Sequence, residues 1–416
     1  MSITNYLSFR EKTTISFSPA IKNWELWNNI NNNILKTSII YWSNASWKTN
    51  FMQAIILIKE LIINSHKIWP NEIIEVPWIR LQPFLLNTKT LNKPSEFEVI
   101  FEVDWLTYRY NFSLTNKEIL YENLYCKKNI REKILFKREK QMIKIYDFDD
   151  NNSKNRVNEN NLALSVFAKE WSEEAKKINK FFHDIFIFWK WYSLIDTENM
   201  LKTENDTFKP FLLNIVKNAD KWIHEMNFYT KKIPFNSFPQ SDDLARLIRQ
   251  NWDHIPTDID TWIRESFHNV YDDNWKIVWA VNLWINAESD WTKKILWLAG
   301  SIYNVIRRWK ILFIDEINES LHPSLLNSLF MSIHKVTSNN PYQFIFTTHN
   351  THSMNIQRIF RRDQIRFMRK WNEWHSNLTR LSDISVRRDI VAEKRYFENN
   401  FWDDFKEKDD LLRKLN

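Results

Sequence analysis

One glycine in 416 residues, beside 22 tryptophans, is the property of this chain that most restricts what it can fold into. Average usage of about 7% would give roughly 29 glycines at this length. Tight turns, helix C-caps and phosphate loops need positive φ or close backbone approach, and glycine is the residue that supplies both at little cost. The tryptophans stand where glycine belongs. Asp104-Trp105 lies between two alternating apolar runs, the place of a hairpin Asp-Gly. A genetic code in which UGA specifies glycine, translated with one in which it specifies tryptophan, produces this exchange. The expectation is that most of the 22 tryptophans are glycine in the protein as its own cells make it. A tryptophan-rich fold would not drop its indoles into turn positions.

Composition bounds the rest. The length suits one large or two ordinary domains with a sizeable core. The net charge of +7 is independent of the Trp/Gly question. It permits nucleic-acid binding, but the Ile, Asn and Lys richness of an AT-biased gene explains it equally well. A single cysteine, Cys126, excludes an intramolecular disulfide and a cysteine-only metal site. No secretory pattern opens the chain. The apolar stretch from Phe51 to Asn64 is interrupted by Lys59 and Glu60, too short and too charged to span a membrane. A cytoplasmic protein with no membrane partner is expected.

The pattern along the chain predicts an α/β fold. Strands are expected within Ile3 to Phe17, over Thr37 to Tyr41, and at Val278 to Leu283, Ile311 to Ile314 and Tyr342 to Thr347. Helices are expected over Thr49 to Asn64, Lys294 to Arg308 and Leu321 to Thr337. Glu96 to Tyr125 has period 2 and reads as an antiparallel hairpin turning at Asp104-Trp105, with a third strand after Glu118. Lys127 to Lys154 is strongly charged, Asp147 to Asn161 reads as a loop, and Asn161 to about Phe267 reads as mostly helical. Strands alternating with helices imply a mainly parallel sheet. Three segments are expected: 1–126 and 268–416 as the halves of one split lobe, and 127–267 as a helical insertion or arm, with a basic tail at the end.

Four motifs carry chemistry. Trp42-Ser43-Asn44-Ala45-Ser46-Trp47-Lys48-Thr49, with glycine at 42 and 47, is a phosphate-binding loop. Its backbone N–H groups and the following helix terminus would face phosphates, Lys48 would reach the β/γ-phosphates, and Thr49 would bind Mg²⁺. Ile311 to Ile314 ends in Asp315-Glu316, at the strand end where open α/β sheets bind ligands. Asp315 would bind Mg²⁺ through water and Glu316 would activate the attacking water. The strand from Tyr342 ends in Thr347-Thr348-His349, which makes His349 a candidate γ-phosphate sensor. Glu288-Ser289-Asp290-Trp291 precedes a helix, and a serine and glycine there can bind a phosphate. The Arg369 to His375 spacing falls in a turn and is read as chance.

Taken together, the phosphate loop, the Ser289/Trp291 signature, the Asp315-Glu316 strand, the Ser320-Leu321-His322-Pro323 turn and Thr348-His349 resemble the ABC-type ATPase superfamily in order and spacing. Thr292-Lys293-Lys294 before Leu298-Ala299-Gly300, and Thr347-Thr348-His349-Asn350-Thr351-His352, are similar to the AAA-type ATPases of the overcoming-lysogenization-defect and abortive-infection group, AAA-15 and AAA-21-like. These are relatives of RecF and the chromosome-maintenance ATPases. Asn5 to Arg10 also resembles that group. The resemblance covers roughly 1–115 and 275–390. It implies ATP and Mg²⁺ as cofactors and a head-to-tail homodimer. ATP would lie between Lys48/Thr49 of one subunit and Ser289/Trp291 of the other, with Asp315, Glu316 and His349 on the Lys48 side. Ser320 to His322 would signal between the two sites, and Gln82 is a candidate for coupling Mg²⁺ to the interface. The implied function is an ATP-hydrolysing dimeric switch for a separate effector in anti-phage defence. That effector would be a nuclease only as a separate partner, because no paired-acid metal motif follows His349. A DNA-binding repair ATPase and a non-hydrolysing scaffold are the other readings. Indoles at 42, 47 and 291 depart from the pattern, and a chain made with them should not bind ATP.

Overall fold

The computed structural model describes residues 1–20, 26–42, 48–128, 131–149, 153–188, 195–219, 223–234, 258–308, 310–319, 321–338, 341–349, 351, 358–370 and 375–384. The chain divides into two compact units, one formed by Met1–Trp191 with Val305–Asn416, the other by Tyr192–Asn304.

The first unit is built on two sheets. One has six described strands in the order Ile185–Phe188, Ile311–Ile314, Gln343–Thr348, Thr37–Trp42, Ile365–Lys370 and Ser376–Arg380. The first five run parallel and the last is antiparallel. Ile39, Ile40, Leu312, Ile314, Phe344 and Phe346 are buried, and their unbroken apolar runs are what a strand covered on both faces needs. Helix Lys48–Asn64 follows the strand Thr37–Trp42 and packs on this sheet. Phe51 stacks obliquely against Phe313 at 6.4 Å, and Lys59 Nζ donates to the Ile185 carbonyl at 2.5 Å.

The amino end of the strand Thr37–Trp42 is held by a polar network. Gln364 Nε2 donates to Thr37 Oγ1 at 2.6 Å, and His334 Nε2 lies 2.7 Å from the same hydroxyl. Asn29 Nδ2 in turn donates to Gln364 Oε1 at 2.7 Å. Burial, with Lys36 nearby, pushes the His334 pKa down to about 3, so the ring is neutral.

The second sheet is antiparallel, with seven described strands in the order Met142–Ile145, Glu132–Glu139, Ile119–Lys127, Leu106–Leu114, Ser95–Val103, Ser2–Thr4 and Thr13–Thr14. Its apolar face packs on helices Ala163–Lys169 and Glu173–His183, with Phe136 edge-on to Phe167 at 5.5 Å and Phe101 to Phe182 at 5.0 Å. The start of helix Ala163–Lys169 has no cap of its own. Glu122, wholly buried, reaches from the sheet to accept the Ala163 and Leu164 N–H groups at 2.6 and 2.9 Å and the Tyr110 hydroxyl at 2.7 Å. The equally buried Arg138 lies 3.5 Å away.

The second unit contains a three-stranded antiparallel sheet, Ile223–Pro234, Asp258–Tyr271 and Ile277–Trp284, and helices Ile195–Thr203 and Asn205–Ala219. Helix Asp290–Arg308 begins in it. Gly300, the lone glycine, is buried on that helix, and its N–H donates to Thr197 Oγ1 at 3.0 Å.

The stretch expected to be a mostly helical arm is more varied. Residues 127–267 contribute Glu132–Glu139 and Met142–Ile145 to the antiparallel sheet and Ile185–Phe188 to the parallel one. Two long strands, Ile223–Pro234 and Asp258–Tyr271, stand where helix was expected. Charged residues on these strands hide the period-2 alternation, and pairing with a distant strand decides the structure over local preference.

Three tryptophans occupy the left-handed region, each at the glycine position of a different turn. Asp104 and Trp105, with φ of 50° and 65°, form the two-residue loop between Val103 and its partner Leu106. Both central residues of such a type I′ turn need positive φ. Pro77-Trp78 is the centre of a turn closed by Ile79 N–H to the Val76 carbonyl at 3.0 Å. Trp78 has φ 68°, the i+2 position of a type II turn after proline. Trp275, at φ 60°, ends the longer loop between Asp272 and Lys276, where a hairpin takes a left-handed glycine. Each left-handed non-glycine residue costs about 1–2 kcal/mol. Among the tryptophans whose burial is described none is buried, and eight are more than half exposed. Tryptophan is ordinarily highly buried.

Candidate active site

Strand register assembles the site. Phe346 pairs with Ile39 on one side and with Ile314 on the other. The histidine strand, Gln343–Thr348, is thus flanked by the strand ending at Trp42 and the strand preceding Asp315. All three carboxyl ends lie on one edge, at about 4.8 Å per strand step. Helix Lys48–Asn64 starts from the same edge and directs its free N–H groups there.

Asp315 is nearly buried. The Thr347 hydroxyl donates to its Oδ1 at 2.5 Å and accepts the Glu316 N–H at 2.9 Å. The Asp315 N–H donates to the Phe188 carbonyl at 2.9 Å, and the Ile317 N–H to the Thr347 carbonyl at 3.1 Å. These bonds hold Glu316 in the left-handed region at φ 46°, a strained conformation for a residue with a β-carbon. Glu316 is half-buried and His349 is exposed at the strand end.

Asn318 bridges the two loops. Its Oδ1 accepts the Thr348 hydroxyl at 2.6 Å, and its Nδ2 lies 3.3 Å from His349 Nε2 and 3.5 Å from Nδ1. Further along, Leu321 N–H donates to the Asn318 carbonyl at 3.2 Å. His322 Nδ1 accepts from Ser324 N–H at 3.3 Å and caps helix Pro323–Lys335.

Other expected site residues fall as follows. Trp42 ends its strand, Lys48 opens its helix and Thr49 lies in the first turn. Ser43, Asn44, Ala45, Ser46, Trp47 and Ser320 lie outside the described residues. Thr49 and Asp315 are hard oxygen donors, as Mg²⁺ prefers, and that ion usually completes its shell with water and phosphate oxygens. Among the described residues no group of three His, Cys, Asp or Glu converges. Gln82 is not brought to this group by any described hydrogen bond; its carbonyl accepts the Leu7 N–H at 2.9 Å.

In the second unit Ser289 caps its helix. Its Oγ accepts the Thr292 N–H at 3.3 Å and lies 2.8 Å from Thr292 Oγ1. Trp291 sits in the first turn without positive φ, so the backbone there does not itself require glycine. The preceding Glu288 is buried and accepts from Ser266 Oγ, with His268 Nε2 at 2.7 Å.

Sequence reading missed Thr347 and Asn318. The doubled threonine before the histidine is a visible trace of the first, since both hydroxyls lie at a strand end beside acids. Nothing in the spacing singles out Asn318.

No described helix is long and apolar enough to cross a membrane. None of the curated proteins matches the chain. Among solved structures, the SMC head domain from Thermotoga maritima is similar at 11% identity and a TM-score of 0.41, over 92% of this chain and 98% of that one. An SMC head bound to the C-winged helix domain of ScpA is similar at 13% identity and a TM-score of 0.44, over 91% and 96%. The recombination mediator RecF of the RecFOR pathway gives 11% identity and a TM-score of 0.33, over 91% and 96%. The family model described as AAA domain, putative AbiEii toxin, Type IV TA system matches residues 39–355, from within the strand that ends at Trp42 to just beyond His349, and the chain belongs to that AAA family.

Proposed function

We propose that this protein binds and hydrolyses Mg²⁺-ATP and acts as a dimeric switch for a separate effector in defence against phage. The observation that supports hydrolysis most directly is the Thr347 clamp, which orders Asp315 and the Glu316 backbone at the strand edge reached by the Lys48 helix. Lys48 and the loop before it would hold the phosphates, and Glu316 would take a proton from the attacking water. His349 would contact the terminal phosphate. Thr49 and, through water, Asp315 would hold Mg²⁺, which offsets phosphate charge when bound. Ser289 and residue 291 of a second copy would close the site. The defence role rests on the family's description alone.

The same reading requires glycine at 42, 47 and 291. Trp78, Trp105 and Trp275, in the left-handed glycine positions of three turn types, support a general exchange. The test uses the full chain carrying Trp→Gly at 42, 47, 78, 105, 275 and 291. Lys48→Ala should abolish ATP binding. Glu316→Gln should bind ATP, hydrolyse it at least about 100-fold more slowly and accumulate as a dimer. ATP binding by Lys48→Ala, or normal turnover by Glu316→Gln, would refute the respective assignments.

A further inference from the structure

Asn318 joins the two loops on which the proposed chemistry depends. It follows Glu316 in the turn closed by Glu319 N–H to the Glu316 carbonyl at 2.9 Å. Its side chain crosses to the end of the neighbouring strand and engages two consecutive residues there, Thr348 and His349. An amide nitrogen only donates. Asn318 Nδ2 lies 3.3 Å from His349 Nε2 and 3.5 Å from Nδ1, against both ring nitrogens, so the amide sets where the ring stands.

We infer that Asn318 is a positioning residue for nucleotide turnover. It holds the His349 ring in place at the strand end where the terminal phosphate would lie, and ties it to the turn that begins at Glu316. The inference rests on the ATPase reading above and adds a residue that no motif identifies. It also gives a route by which loss of the terminal phosphate at His349 reaches the turn proposed to signal to the second site. Thr348 is fully buried and His349 is exposed, so the bridge has one end anchored in the core and one end at the ligand face.

The experiment is steady-state ATP turnover and thermal melting of the full chain carrying the six Trp→Gly changes, with Asn318→Ala, Asn318→Asp, His349→Ala and the Asn318→Ala/His349→Ala pair. Asn318→Asp keeps the acceptor for Thr348, removes the donor to the imidazole and conserves shape, so it reports on the His349 contact even where the alanine variant folds poorly. The expected result is a kcat lowered roughly 10- to 100-fold in both Asn318 variants, with KM for ATP little changed in both and the melting midpoint little changed in Asn318→Asp. The double variant should be no slower than His349→Ala alone, because the two residues act through one contact. Parental kcat in the Asn318 variants, or losses that multiply with that of His349→Ala, would overturn the role. A parent chain that binds no ATP would instead refute the nucleotide reading itself, and the role of Asn318 with it.

Discussion

The Thr347 hydroxyl lies 2.5 Å from Asp315 Oδ1, and the same oxygen receives the Glu316 N–H at 2.9 Å. One hydroxyl thus sets the direction of a carboxylate and the backbone of the acid that follows it. Thr347→Val keeps the shape and removes both bonds. It should lower ATP turnover roughly 10- to 100-fold and destabilise the fold by about 1–3 kcal/mol through the unpaired buried groups. Thr347→Ser should retain most of the activity. Turnover assays with urea unfolding of both variants check this, and equal losses in the two would contradict it.

The identity of residues 42 and 47 is directly weighable. Mass spectrometry of the native protein across residues 37–59 should show each site lighter than tryptophan by about 129 Da, the difference between an indolylmethyl group and hydrogen. Peptides spanning Trp78, Trp105 and Trp275 should show the same difference. Tryptophan masses at 42 and 47 would leave the phosphate loop unable to bind ATP and favour a non-hydrolysing scaffold.

His334 predicts an acid limit to stability. Its pKa is 6.5 when unfolded and about 3 when folded, because burial, and then Lys36, disfavour the charged ring. The unfolded chain therefore takes up a proton that the folded chain refuses. Stability from this site is complete above about pH 6.5 and falls by about 1.4 kcal/mol per pH unit as pH drops toward 3. Urea midpoints at pH 7 and pH 5 should converge in His334→Gln relative to the parent. An unchanged pH difference would exclude His334 as the source.

Glu122 and Arg138 are both wholly inaccessible. Glu122→Ala strands the Arg138 charge and removes the acceptor for two helix N–H groups, so it should cost about 3–5 kcal/mol. Replacing both, Glu122→Leu with Arg138→Met, should cost less than the single change, since no buried charge is left over. Denaturant unfolding of the two variants gives the comparison, and a larger loss in the double variant would contradict it.

What could be read beforehand follows physical lines. Ile311 to Ile314 and Tyr342 to Thr347 announce themselves because strands covered on both faces must be apolar without interruption. The hairpin at Asp104-Trp105 is legible from alternation and from a turn whose geometry admits few residues. The strands Ile223–Pro234 and Asp258–Tyr271 are not, because their charged residues are tolerated at positions that only pairing defines. Asp315, Glu316 and His349 could be singled out as candidates because a strand end limits where such groups can act. Asn318 escaped because its contacts join two loops that are separate in the chain, and Gln82 rests on a short polar motif that carries no such positional limit.

The strand Thr37–Trp42 pairs with residues 343–348 on one side and 365–370 on the other. During synthesis it leaves the ribosome tens of seconds before either neighbour exists, at the usual 5–20 residues per second. The antiparallel sheet has all seven of its described strands within the first 145 residues and can close early. The parallel sheet cannot. Its central strand, Ile39-Ile40-Tyr41 among it, must be shielded from wrong partners for most of the time the chain is being made. A chain cut short before residue 343 would carry the strand Thr37–Trp42 with neither of its neighbours, so this sheet is a property of the nearly finished polypeptide alone.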